Sequence, residues 1–160
     1  MTPASGDNPY PVELADEAAT EALAGRVALE AQRGDVIALE GTLGTGKTSF
    51  ARAFVRALGV EDEVPSPTFT LVQIYDTARG AVWHFDLYRL ARPEDAYELG
   101  IEEAMGDGIS LIEWPERLGA LLPRERLDIA LAMGATPQSR RATLRAAPSW
   151  TARLPKVIAA

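Results

Sequence analysis

The 160-residue chain contains no cysteine and a single histidine. Without thiols it can form neither a disulfide framework nor a cysteine-based metal site, and one imidazole cannot assemble a conventional histidine metal centre. Basic residues are outnumbered, 16 against 23 acids, for a net charge of −7. That sign argues against a protein that grips nucleic acid through its own electrostatic footprint. No apolar run approaches the length of a membrane span, and no basic start followed by an apolar stretch marks a secretory leader. The expectation is a cytoplasmic enzyme with no membrane contact, whose connection to RNA, if it has one, runs through a partner. Lysine is scarce, with Lys47 and Lys156 alone, so where each one sits is informative.

What is present is centred on Val36–Thr48. The apolar run V-I-A-L-E leads into Gly41-Thr42-Leu43-Gly44-Thr45-Gly46-Lys47-Thr48, the full G-x-x-x-x-G-K-[ST] phosphate-loop pattern. A chain of this composition and length matches that pattern by chance roughly once in a thousand. The context agrees: strand character precedes the loop, and Ser49–Leu58 has helical periodicity, with Phe50, Phe54 and Leu58 on the inner face. Glycines let the backbone close its N–H groups around phosphate oxygens at the positive end of the new helix. Lys47 is placed to reach the β- and γ-phosphates, and Thr48 to set its hydroxyl on Mg2+.

The length suits one domain. Residues 1–11, rich in Pro, Gly, Ser and Asn, read as a flexible leader, residues 12–147 as the domain and 148–160 as a tail without nameable chemistry. Asp16 caps an expected helix to about Gln32, with Gly34 as its stop. On it Thr20 has two readings, beside a bound base or as an ordinary surface threonine. The two prolines in 61–70 forbid a helix and suggest an ordered loop, on which Thr68 or Thr70 is a candidate γ-phosphate sensor. Strands are expected at Phe69–Tyr75 and Val82–Leu87, the second carrying His84 and Asp86 at its end. A carboxylate there needs a partner: Asp86 either orients metal-bound or attacking water, or pairs with Arg89 or a turn. His84 reads as structural, the alternative being a contact near the nucleotide. Pro93 opens an expected helix to about Met105. Ile109–Trp114 is an apolar strand ending in Glu113, the first choice to complete a magnesium site with Thr48, with Asp86 second. Leu127–Met133 and Arg141–Ala146 read as a hairpin. Arg140-Arg141 beside its turn either touch phosphate or partner or are simply solvated.

With these blocks in view, the chain resembles the TsaE (YjeE) family, the small ATPase component of bacterial tRNA threonylcarbamoyladenosine synthesis, from about Asp16 to Leu131. The resemblance is carried by Gly41–Thr48, S-P-T-F-T-L-V at 66–72, H-F-D-L-Y-R-L at 84–90, E-L-G-I at 98–101 and I-E-W-P at 112–115. It implies a three-layer α/β P-loop NTPase domain with a mainly parallel central sheet and an antiparallel C-terminal hairpin. It implies ATP on Leu43, Gly44, Thr45, Gly46, Lys47, Thr48 and Ser49, with Thr20 nearby, and Mg2+ on Thr48 and Glu113. Lys47, Asp86 and Glu113 would carry the chemistry, the S-P-T-F-T block acting as one switch and the block around Asp86 as a second. The implied partner is a TsaD–TsaB-type threonylcarbamoyltransferase heterodimer acting on adenosine 37 of tRNAs that read codons beginning with A. Hydrolysis would reset that complex, tRNA being met only through it, and the resting protein would be a monomer or weakly self-associated. One departure is Thr42, where the family usually carries aspartate. Two rival readings share the loop. A small-molecule kinase would need a lid whose arginines could only be Arg89 and Arg92; a non-hydrolysing nucleotide sensor would not need Asp86.

Overall fold

A computed structural model gives the fold, described for residues 9–61 and 63–159. The strand expected before the phosphate loop is β2, Val36–Glu40, buried over Val36–Leu39. Continuous apolar character of this kind belongs to a strand covered on both faces, and β2 is indeed central. The sheet runs β1-β7-β6-β2-β5-β4-β3, with β1 Tyr10–Leu14, β3 Val72–Thr77, β4 Gly80–Asp86, β5 Ile109–Glu113, β6 Leu127–Met133 and β7 Arg140–Ala146. The inner pairings β6–β2, β2–β5 and β5–β4 are parallel, and the outer ones antiparallel. The parallel core and the β6–β7 hairpin therefore stand as expected.

Alternation along the strands divides the core between the two faces. Ile37, Leu39 and Leu111 pack with Leu23 and Val27 of α1, Glu17–Glu30, and with Phe50 and Phe54 of α2, Lys47–Ala57. Val36, Phe85 and Ile112 pack against the opposite layer, formed by α3, Ile101–Asp107, and the 3-10 segments Pro93–Leu99 and Pro115–Leu121. Burial of each large apolar side chain contributes about 1.5–3 kcal/mol. No helix among the described residues is long and apolar enough to cross a membrane.

Several boundaries differ from the sequence reading. Residues 1–8 of the expected leader lie outside the described residues, but Tyr10 and Pro11 already belong to β1, which pairs with β7. Asp16 caps α1 by accepting from the Ala19 N–H at 2.9 Å. The helix ends at Glu30, however, and Gly34 serves the turn into β2, its N–H donating to the Gly108 carbonyl at 2.7 Å. The stretch expected as one helix from Pro93 to Met105 is broken at Gly100, where φ is +86° and a Cβ would lie 2.8 Å from the Trp83 ring. Phe69 does not start β3; it sits exposed on the turn before Leu71, whose φ is +67°. The C-terminal segment, expected as a tail, is packed against the domain. Its short helices α4, Pro148–Thr151, and α5, Leu154–Ile158, bury Trp150 and Val157 in the first core. Arg153 stacks on Trp150 and donates to Asp35 at 2.7 and 3.1 Å, tying the end of the chain to the entry of β2.

Candidate functional site

A cavity of about 770 Å³ opens at the C-terminal ends of β2, β4 and β5, where ligands of parallel α/β sheets collect. Its floor is the phosphate loop. Gly46 enters α2 with φ +102° and no side chain caps the helix, so the first-turn N–H groups of α2 are left for an anion. Gly41 cannot be replaced cheaply: at φ +145° a Cβ would stand 2.5 Å from Thr45 Oγ1 and 2.6 Å from the Leu131 carbonyl. Lys47 is buried, and its ammonium donates to the carbonyls of Gly41 and, at 3.4 Å, Thr42. The same ammonium lies 3.6 Å from the centre of the Trp114 ring. Burial pushes the Lys47 pKa down, while Glu113, Glu116 and Asp86 oppose that shift. Trp114 adopts φ +59°, a left-handed conformation that a bulky residue holds only where its surroundings impose it.

Two carboxylates face the loop from the ends of adjacent parallel strands, Asp86 beside Glu113 in register. Thr48 Oγ1 donates to the Glu113 carboxylate, 3.1 Å from Oε1 and 3.2 Å from Oε2. His84, fully buried, places Nε2 2.6 Å from Glu113 Oε2. To donate to an ionised carboxylate that nitrogen must carry the proton, so His84 orients Glu113 rather than acting as a bystander in the core. His84 thus stands as a structural residue, holding the Glu113 carboxylate from within the core. Asp86 does not pair with Arg89, which stacks on Phe69 instead, but it does cap a turn, the other half of that reading. Its Oδ2 accepts from Thr68 Oγ1 and its Oδ1 from the Tyr88 N–H, each at 3.1 Å. Ser66 is joined to Thr68 at 2.8 Å. Of the two threonine candidates on this loop, Thr68 lines the cavity; Thr70 instead accepts from Gln73 at 3.3 Å on the exposed side.

The far end of the cavity is lined by Asp16, Glu17 and Thr20 of the α1 start, and by Pro137, Gln138 and Arg140 of the β6–β7 hairpin. Thr20 is buried there, and Leu43 and Ser49 lie on the lining with the rest of the loop. Sequence reasoning left Arg140 between two roles and did not single out the hairpin turn, because their approach to the loop is purely tertiary. Thr42 enters through its backbone: its carbonyl accepts from Thr45 Oγ1 at 2.8 Å.

The donor set suits a hard cation. Thr48 and Glu113 offer a hydroxyl and a carboxylate within hydrogen-bond distance of each other, and Mg2+ is ordinarily held by one or two carboxylates together with phosphates and water. Among the described residues no group of three His, Asp or Glu side chains forms a metal cage, so a metal here would take most of its shell from the ligand's phosphates and from water.

Comparison with known proteins gives one consistent picture. The family model for "Threonylcarbamoyl adenosine biosynthesis protein TsaE" matches residues 14–142. The tRNA threonylcarbamoyladenosine biosynthesis protein TsaE of Rickettsia felis is 40% identical over 119 residues, covering 74% of this chain and 70% of its own. The Bacillus subtilis protein of the same name is 40% identical over 113 residues, 70% of each chain. The crystal structure of Bacillus subtilis YdiB superposes with a TM-score of 0.78 at 30% identity, covering 94% of both chains.

Proposed function

The chain belongs to the TsaE family of threonylcarbamoyl adenosine biosynthesis proteins, and on that premise we propose that it is a Mg2+-dependent ATPase serving tRNA threonylcarbamoylation. The observation that carries the reading is the Thr48–Glu113 contact in the same cavity as the buried Lys47, a set of hydroxyl, carboxylate and ammonium that suits a nucleoside triphosphate with its metal. The triphosphate lies on the N–H groups of Gly44–Thr48. Lys47 exchanges the Gly41 carbonyl and the Trp114 ring for phosphate oxygens, a trade favoured because a buried ammonium gains more from an anion than from a neutral carbonyl. Thr48 and Glu113 would hold Mg2+, which would supply charge neutralisation at the phosphates. His84 keeps the Glu113 carboxylate aimed. Asp86, fixed at both oxygens, orients the attacking water, and Thr68 carries the state of the γ-phosphate into the 66–70 loop.

The kinase alternative finds no support in its lid residues. Arg89 is stacked on Phe69, and Arg92 is 73% exposed and paired with Asp95 at 3.3 Å. The partner is a TsaD–TsaB-type transferase heterodimer, with tRNA met only through it and hydrolysis resetting the complex; the site of action is the cytoplasm. Steady-state ATP hydrolysis tests the reading, measured alone and with that pair, for the wild type and Asp86→Ala. Slow basal turnover should rise with the pair, and Asp86→Ala should lose about a hundredfold in kcat while binding ATP within about threefold of wild type. Turnover indifferent to the pair would remove the tRNA-modification role, and an Asp86→Ala protein at full speed would remove the assignment of the water.

A further inference from the structure

Arg140, the first residue of β7, reaches across to the phosphate loop from a position 95 residues away in sequence. Its Nε donates to the Thr45 carbonyl at 3.2 Å and an Nη to the Gly44 carbonyl at 3.4 Å. Its other Nη is anchored on the Pro137 and Ser139 carbonyls, both at 2.8 Å, so the guanidinium is fixed from the hairpin side and presents donors to the loop.

The consequence follows from peptide geometry. In a trans peptide the carbonyl and the following N–H point in opposite directions. Holding the Gly44 and Thr45 carbonyls toward Arg140 therefore turns the N–H groups of Thr45 and Gly46 away from it and into the loop. The Thr45 N–H is engaged inside the loop, donating to the Thr42 carbonyl at 3.4 Å, a long bond that a phosphate oxygen could replace. These are two of the amides that a phosphate would need. A glycine-rich loop left to itself samples many peptide orientations, and freezing the productive one before the ligand arrives lowers the cost of binding.

We infer that Arg140 is a positioning residue that pre-orients the amides of the phosphate loop from the β6–β7 hairpin, acting through the loop backbone rather than on the nucleoside. The inference rests on the ATPase reading for its functional consequence, and its structural half can be read without any ligand.

The test uses the full chain with Arg140→Gln and Arg140→Lys. In unliganded protein the amide resonances of Thr45 and Gly46 in Arg140→Gln should move or broaden, while those of α1 stay in place. Affinity for ATP and for inorganic tripolyphosphate should fall together, about tenfold, as expected for losing a charged hydrogen bond that orders the loop. Arg140→Lys, keeping one cationic donor, should fall between. In hydrolysis the loss should appear mainly in KM. Unchanged amide resonances would overturn the inference, as would a loss confined to ATP with tripolyphosphate binding intact, because that pattern means contact with the nucleoside. A wild-type protein that binds neither ligand would sink the ATPase reading, and the amide comparison would still decide the role of Arg140.

Discussion

Replacing Lys47 with alanine should leave the protein folded and nearly inactive, with kcat/KM for ATP down by about a thousandfold. In the unliganded protein the ammonium is held by two carbonyls and an aromatic face, and burial disfavours its charge. Removing it therefore removes a desolvated cation along with its contacts, and the melting temperature should stay within about 2 °C of wild type. Once a triphosphate is present the balance changes, because no other lysine and no arginine among the cavity residues except Arg140 can supply the lost positive charge. Arg140 is committed to backbone carbonyls. Hydrolysis kinetics together with thermal melts check this. A variant that unfolds, or one that keeps most of its turnover, would show that Lys47 is a structural residue.

Glu113→Gln is the second large effect, and it should be selective for the metal. Glutamine keeps the size of the side chain and an acceptor for Thr48, but it loses the charge that faces both Thr48 and His84. ATP affinity measured in EDTA should not change, whereas the gain in affinity on adding Mg2+ should shrink about tenfold and kcat should drop about a hundredfold. Titration calorimetry with and without Mg2+ separates the two. Equal losses in both conditions would mean that Glu113 supports the fold of the loop and does not hold the cation.

The parts of this arrangement that could be read from the sequence are the ones built locally. The apolar run of β2, the glycine spacing of the loop and the Phe50/Phe54 stripe of α2 each show in a window of a dozen residues. Asp86 and Glu113 were legible because a strand that ends in an acid is costly without a purpose. The rest depends on contacts between distant segments. β1, with Tyr10 and Pro11 in it, carries no strand signature of its own and becomes a strand only by pairing with β7. Gly100 breaks a periodic helical stretch because the Trp83 ring lies against it. Trp150 and Arg153 turn the expected tail into part of the core. The orienting role of His84 and the reach of Arg140 depend on strand order, which periodicity does not encode. Their signals were the lone histidine two residues before Asp86 on the same strand face, and the arginine pair beside the hairpin turn.

The most direct test of the account is a crystal structure of the protein with a non-hydrolysable ATP analogue and Mn2+, the metal located by its anomalous signal. The triphosphate should lie on the amides of Gly44–Thr48 with the Lys47 ammonium turned from Trp114 to its oxygens, and Mn2+ should sit between the phosphates and the Thr48–Glu113 pair. A triphosphate bound elsewhere, or a metal held without Thr48 and Glu113, would contradict it.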